Sequence, residues 1–148
     1  MKWWQAFLQQ AQMDLEAAKV LQKANLGSQC LWFAQQAVEK SLKAYVFRTK
    51  KIKPISLKTH SLKKILEKFS KQEKWKLLRV AGNRIEETFN NLFPDDDPNL
   101  EKPNVRYPFE EKGTIKCPYL YEKYNGRNLA TPMRLANNIV MYIRKQPS

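Results

Sequence analysis

The sequence predicts an all-α fold, an up-and-down antiparallel bundle of about five helices with a long proline- and tyrosine-rich loop before the last helix. Three observations predict it. Apolar residues recur every three or four positions over most of the chain, no segment alternates convincingly as a β-strand does, and prolines cluster in one region. A chain of 148 residues can bury one ordinary core, so we expect residues 1–148 to form a single domain.

The first two helices are predicted by a helical repeat interrupted at a glycine. Asn25-Leu26-Gly27 should end the first helix, with Gly27 in the left-handed conformation. Ser28 should then cap a second helix that extends to about Arg48. The apolar stripe of the first helix consists of Trp4, Leu8, Ala11, Leu15, Ala18 and Leu21.

Three more helices are expected after a connector over residues 50–57. Thr59 should cap a short third helix, a fourth should begin at about Glu73, and Thr131-Pro132 should start the last one. Their apolar stripes are, in order, Leu62, Ile65, Leu66 and Phe69; Leu78, Ala81, Ile85, Phe89 and Leu92; and Leu135, Ala136, Ile139, Val140 and Ile143.

The segment from Phe93 to Ala130 contains five prolines, which exclude long helices. A loop of this length is often functional, and the alternative is a partly disordered surface loop. Thr114 to Tyr121 could hold a short extended piece. Six side chains offer anchors for packing this loop on the bundle, namely Tyr107, Phe109, Tyr119, Leu120, Tyr121 and Tyr124.

The second helix is apolar on nearly every side. A helix of this kind is either central in its bundle or covered by another subunit, and we expect a second copy of the chain on one side. The four-residue spacing of Gln36 and Lys40, and of Glu39 and Lys43, predicts side-by-side pairs, either on the surface or at the edge of a cleft. The core face should hold Leu31, Ala34, Val38, Leu42 and Tyr45, and the opposite face Phe33, Gln36, Lys40, Lys43 and Phe47, with Trp32 at its flank.

The composition restricts the partners and the chemistry. A formal net charge of +13 favours phosphates, nucleic acid or acidic protein surfaces, unless the lysines are merely solvated. Two cysteines and one histidine form no disulfide framework and no recognisable metal motif. Asp95-Asp96-Asp97 is either a divalent-cation site or, more simply, a turn. We predict no metal, no cofactor, no membrane span and a cytoplasmic location.

One run of the second helix carries a family resemblance. Ala34-Gln35-Gln36-Ala37-Val38-Glu39-Lys40-Ser41-Leu42-Lys43-Ala44 resembles the signature of HEPN domains (higher eukaryotes and prokaryotes nucleotide-binding). Further features follow in the family's order, namely Ala11-x-x-Asp14-Leu15-x-x-Ala18 in the first helix, Thr59-His60-Ser61-Leu62 at the start of the third, and Arg106-Tyr107-Pro108 in the loop.

The resemblance implies a helical bundle, commonly a homodimer, with a role in nucleotide or RNA binding. It also implies a separate nucleotidyltransferase as a partner, since this chain has no room for that domain. Catalytic ribonucleases of the family carry an arginine shortly before a histidine. Here His60 has no arginine in that window, and the nearest one upstream is Arg48. We therefore name no catalytic residue and do not predict an enzyme.

The main functional hypothesis is a cleft that binds a nucleotide or another phosphate-bearing ligand. Its predicted ligand-binding residues are Gln36, Lys40, Lys43, His60, Arg106 and Tyr107. Alternatives stay open for three of them. His60 could serve as a general base or only bond locally, Arg106 could grip phosphate or anchor the loop on Glu39 or Asp14, and Tyr107 could stack on a base or be a buried anchor. The alternative functions are an RNA-binding or toxin-type module of a toxin-antitoxin pair, and a purely structural dimerisation module.

Overall fold

The structure is a computed structural model that describes residues 1–82, 84–90, 92 and 99–147. These residues form six α-helices and one two-stranded antiparallel sheet, which confirms the all-α prediction. The helices are α1 (Trp3–Lys23), α2 (Gly27–Thr49), α3 (Leu62–Leu66), α4 (Lys71–Ala81), α5 (Ile85–Asn90) and α6 (Ala130–Lys145), and the strands are β1 (Phe109–Glu111) and β2 (Thr114–Lys116). The predicted alternatives for Asp95–Asp97 fall outside the described residues.

Helix α2 lies at the centre of the fold. Helices α1, α3 and α6 pack against it, as do the short 3-10 turns between residues 118 and 129. The connection from α1 to α2 is only three residues long, so the two helices are antiparallel neighbours. The buried apolar residues form one cluster that reaches from Leu8 in α1 to Ile143 in α6. Across the described ranges, no helix is both long enough and apolar enough to cross a membrane.

The second face of α2 is covered within the chain itself. Phe47 is buried and meets the ring of Phe7 edge-on, with 5.0 Å between the ring centroids. Trp32 and Phe33 are half-buried against the same core. These aromatic side chains therefore need no second subunit to cover them, and the expected homodimer does not follow from the packing of α2.

The start of α2 differs from its prediction. The residue in the left-handed region is Asn25, at a φ of 60°, whereas Gly27 is the first residue of the helix. Ser28 lies within the first turn, where its hydroxyl bonds to the side chain of Gln29 and caps nothing. Gly27 is required for a different reason, since a Cβ there would lie 1.7 Å from the carbonyl oxygen of Tyr124.

The predicted third and fourth helices are also revised. Ser61 caps α3, because its hydroxyl accepts from the backbone N–H of Lys64, while Thr59 instead accepts from the N–H of Ser61. The prediction of a single fourth helix is wrong. Gly82, at a φ of 84°, ends α4, and the apolar stripe continues in the separate helix α5.

The described part of the long loop contains a small hairpin, which the sequence predicted only in part. Strands β1 and β2 are joined by Lys112 and Gly113, both at positive φ, as in the tight turns that suit hairpins. Three of the six predicted anchors are buried, namely Phe109, Tyr121 and Tyr124, whose rings meet edge-on. The other three are exposed, namely Tyr107, Tyr119 and Leu120, so the prediction is wrong for them.

Glu73 ties the start of α4 to α2. One carboxylate oxygen accepts from Lys50 Nζ at 2.7 Å and from the backbone N–H of Ser70 at 2.8 Å. The other accepts from the Tyr45 hydroxyl at 2.5 Å. Burial acts to raise the pKa of Glu73, but the hydrogen bonds from Lys50, Tyr45 and Ser70 outweigh it and lower the pKa from 4.5 to about 2.

The depressed pKa of Glu73 predicts an acid-sensitive contribution to stability. Because the carboxylate ionises more readily in the folded state, its contribution is complete above about pH 4.5 and is lost as the pH falls towards 2. We expect Glu73→Gln to lower the free energy of unfolding at neutral pH and to flatten its decline below pH 4.5. Urea unfolding across this range tests the prediction, with the exposed Glu67→Gln as a control. A decline as steep in Glu73→Gln as in the unchanged protein would contradict it.

Candidate functional site

The candidate site is built on one side of α2. Trp32, Gln36, Glu39 and Lys43 follow one another at intervals of three or four residues, so their side chains leave the helix on the same side. We call these four residues the α2 stripe. With a rise of 1.5 Å per residue, the stripe extends for about 16 Å along the helix axis. Most of its polar members are buried, which is unusual for charged side chains.

The carboxylate of Glu39 is the centre of the stripe. Glu39 is only 3% exposed, and three side chains contact its carboxylate. Lys43 Nζ donates to it at 2.9 Å, Gln35 Nε2 donates at 3.5 Å, and Nδ1 of His60 lies 3.2 and 3.3 Å from its two oxygens. Gln36 extends the network by donating to Gln35 at 2.8 Å. The charge on this buried acid is therefore compensated mainly by Lys43.

His60 comes from the segment just before α3 and joins the stripe from outside. A carboxylate only accepts hydrogen bonds, so the contact with Glu39 assigns the proton of a neutral imidazole to Nδ1 and makes Nε2 the acceptor. The His60 side chain remains 60% exposed, although Glu39 beneath it is buried. A buried carboxylate that orients an exposed imidazole can support proton transfer or hydrogen bonding to a ligand.

Lys40 points to the side of the stripe, towards α1. Its Nζ lies 2.5 Å from a carboxylate oxygen of Asp14, which is 4% exposed and also accepts from Gln10 at 3.0 Å. The side chain of Lys40 is 26% exposed, whereas that of Lys43 is 9% exposed. Both lysines are therefore already paired with buried acids, and Lys40 is the more accessible of the two.

Arg106 covers the first residue of the stripe. Its guanidinium lies 4.2 Å from the ring centroid of Trp32 and 5.1 Å from that of Tyr107, distances typical of cation–π contacts. The backbone is held by Asn104, whose buried side-chain oxygen accepts from the N–H groups of Arg106 and Tyr107 at 2.8 and 3.2 Å. This local turn presents both side chains on the surface above α2.

Of the six predicted residues, Gln36 and Lys43 belong to the stripe, and His60 and Arg106 contact it. Tyr107 lies beside Arg106, and Lys40 points away from the stripe towards Asp14. The structure narrows two of the alternatives for these residues. Arg106 does not pair with Glu39 or Asp14, since these acids hold lysines. Tyr107 is 44% exposed and so is not a buried anchor. The pair Glu39–Lys43 forms as the spacing predicted, but buried, while Lys40 bonds to Asp14 and not to Gln36.

Three contributors to the site were missed. Asp14 had a usable signal, because an acid three residues after Ala11 and four before Ala18 falls on the apolar stripe of α1 and must find a buried partner. Gln35 also had a signal, because it precedes Glu39 by four residues on α2 and reaches it within the same helix. The role of Trp32 as a platform for Arg106 had none, since it depends on which segments meet over α2.

The fold and the stripe define a helical-bundle domain built around one central helix with a buried acid–lysine pair. The family model of the HEPN domain matches residues 4–102. Because this match covers well over half of the 148 residues, the chain belongs to the HEPN domain family, as its motifs predicted. The matched range contains Glu39 and His60 and ends before Arg106. Comparisons with curated proteins and with solved structures gave no match.

Proposed function

We propose that the chain binds a nucleotide or another phosphate-bearing ligand along the α2 stripe, with His60 and Arg106 as the main contacts. The observation that best supports this is that a single helix positions both, His60 on Glu39 and Arg106 on Trp32. The two platform residues are separated by about 10 Å along the helix axis. One ligand the size of a nucleotide can span that distance.

The side chains offer complementary chemistry for such a ligand. The planar guanidinium of Arg106 suits two phosphate oxygens at once, and Nε2 of His60 can accept a hydrogen bond from a hydroxyl or amino group of the ligand. Tyr107 exposes a ring beside Arg106 on which a base can stack. Lys40 and Gln36 are partly exposed at the edge. Lys43 is assigned an indirect role, which is to hold Glu39 in place beneath His60.

Partners are proposed on the basis of the resemblance to HEPN domains. It implies a homodimer and a separate nucleotidyltransferase, and the fold leaves both to be tested by measurement. The net charge of +13 favours a second candidate, an RNA-binding or toxin-type module, because a phosphate backbone attracts cations without regard to sequence. No catalytic step is proposed.

Binding of labelled ATP, GTP and a short single-stranded RNA at low and high salt tests the proposal. We expect saturable nucleotide binding that changes little with salt and falls about tenfold in Arg106→Ala, since a hydrogen bond to a charged group contributes about 1.5–3 kcal/mol. The loss in His60→Ala should be about fivefold, because a neutral hydrogen bond contributes about 1 kcal/mol. Arg144→Ala, which removes an exposed arginine near the end of α6, is the matched control and should bind as the unchanged protein does.

The other outcomes distinguish the candidates. RNA binding alone, with a steep loss at high salt, would favour the second candidate, and shortening of the RNA in the same tubes would identify an enzyme. Equal nucleotide affinity in His60→Ala, Arg106→Ala and Arg144→Ala would contradict the site. No binding of any ligand would leave the structural dimerisation module, which the molar mass in solution then tests.

A further inference from the structure

A basic and aromatic groove lies at the end of the bundle, away from Glu39, where α1 begins and α2 ends. A cavity of about 460 Å³ is bounded there by Trp3, Trp4, Arg48, Lys51 and Lys53, among others. A second cavity of about 380 Å³ shares Trp3 and Lys53 and continues towards Lys58. We call the two adjoining cavities the Trp3 groove.

The charge around the Trp3 groove is of one sign. Lys2, Lys51, Lys53 and Lys58 make no ion pair with any described residue, and no acid lines either cavity. The neighbouring Lys50 is different, since it is paired with Glu73. Positive charges of one sign around the two cavities make the local potential positive, which favours an anion that binds there.

The floor of the groove adds a fixed cation between aromatic rings. The guanidinium of Arg48 lies 5.4 Å from the ring centroid of Trp4 and 5.6 Å from that of Tyr45. One Arg48 nitrogen donates to the carbonyl oxygen of Gln146, while its Nε is buried without an acceptor among the described residues. Arg48 thus keeps Trp4 in place and leaves positive charge under the cavity.

Trp3 is the aromatic group that this packing does not cover. Its side chain is 61% exposed, although it stands beside the half-buried Trp4 in the same helical turn. A base can stack on an exposed indole ring while its phosphates contact the neighbouring lysines. An acidic peptide would use the lysines equally well, but would gain little from the ring face.

We propose that the Trp3 groove binds single-stranded nucleic acid, with an unpaired base stacked on Trp3 and the adjacent phosphates held by Lys51, Lys53 and Lys58. Stacking uses the face that every base presents, so recognition depends on strandedness and only weakly on sequence. The groove shares no residue with the ligand contacts proposed at His60 and Arg106. The inference therefore does not rest on the function proposed above.

Fluorescence anisotropy of labelled single-stranded oligouridine and oligothymidine, with a duplex of equal length, tests the stacking part of the proposal. We expect single strands to bind more tightly than the duplex and Trp3→Ala to weaken them about tenfold, with Trp3→Phe retaining most of the affinity. The matched control is Trp75→Ala, because Trp75 is 57% exposed on α4, outside the groove. Equal affinities in Trp3→Ala and Trp75→Ala would overturn the proposal, as would the absence of binding.

The salt dependence tests the phosphate contacts. Changing Lys51 and Lys53 together to glutamine should reduce the slope of log affinity against log salt concentration by about 1.4, since each lost contact with a single strand contributes about 0.7. The control pair is Lys112→Gln with Lys123→Gln. Both of its lysines are exposed, and the φ of 52° at Lys112 is close to the φ of 54° at Lys51, so the backbone strain is similar in the two pairs. Equal slopes in the two double variants, or tighter binding of polyglutamate than of RNA, would contradict the assignment.

Discussion

Replacing Glu39 by alanine is expected to lower the free energy of unfolding by about 3–5 kcal/mol. The reason is the charge that remains. Lys43 is 7% exposed and has Glu39 as its ion-pair partner, so its ammonium group would stay in the core without compensation. The exposed Glu67→Ala is the control and should change stability by less than about 0.5 kcal/mol.

A double variant separates the lost ion pair from general damage to the core. Glu39→Leu combined with Lys43→Met removes both charges and retains the volume, so it should recover most of the stability lost in Glu39→Ala. Chemical denaturation of the three variants measures this directly. If the double variant is as unstable as Glu39→Ala, the uncompensated charge of Lys43 is not the cause of the instability.

The same carboxylate links stability to the proposed site. Glu39→Gln keeps the shape of the side chain but replaces the anion with a neutral amide next to Lys43 and His60. The amide can still accept from Nδ1 of His60, although more weakly than a carboxylate does. A ligand affinity that falls in Glu39→Gln beyond the change in folded fraction would indicate that the acid positions His60.

Replacing Gly27 by alanine is expected to cost at least about 3 kcal/mol, or to prevent folding. A Cβ at this position would lie 1.7 Å from the backbone carbonyl oxygen of Tyr124 and 2.7 Å from the side-chain oxygen of Asn125. The first contact is with backbone, which cannot rotate away as a flexible side chain can. The start of α2 and the segment that carries Tyr124 would have to separate, and the buried Tyr124 would lose its packing.

Gly113 provides the control for this prediction. It lies in the turn between β1 and β2, where an added Cβ meets no atom within 4 Å but the φ of 77° is unfavourable for alanine. Gly113→Ala should therefore cost only about 1 kcal/mol, which is the effect of backbone strain alone. Thermal unfolding of both variants tests the difference. Similar losses in the two would show that close packing at Gly27 matters less than the structure indicates.

The helices were predictable because their signals are local. The stripe from Leu8 to Ala18 and the four-residue spacing of Glu39 and Lys43 identify faces of a helix without knowledge of any neighbour. Caps were less predictable. Ser28 and Thr59 have the right chemistry, but Asn25 and Ser61 take the special positions, because which residue turns the chain depends on how the flanking helices pack.

The candidate site was predictable only in its parts. The motif around Glu39 and His60 indicated that these residues matter, and the charge indicated an anionic ligand. The partner of each cation was not predictable. Lys40 crosses to Asp14 on α1, and Arg106 rests on Trp32, contacts between residues 26 and 74 positions apart in the chain. Such contacts form only when separate segments close over α2.

The sequence by itself determined the all-α class, the apolar character of α2 on nearly every side, the HEPN signature and the strong positive charge. Each of these is a property of short windows or of composition. Tertiary structure alone decided that α2 is covered by its own chain, that Glu39 is a buried acid shared by Lys43 and His60, and that Trp3 stands exposed beside lysines that pair with no described acid. The physical reason is that burial and charge pairing depend on which distant surfaces meet, and the free energy of a buried ion is set by its neighbours in space.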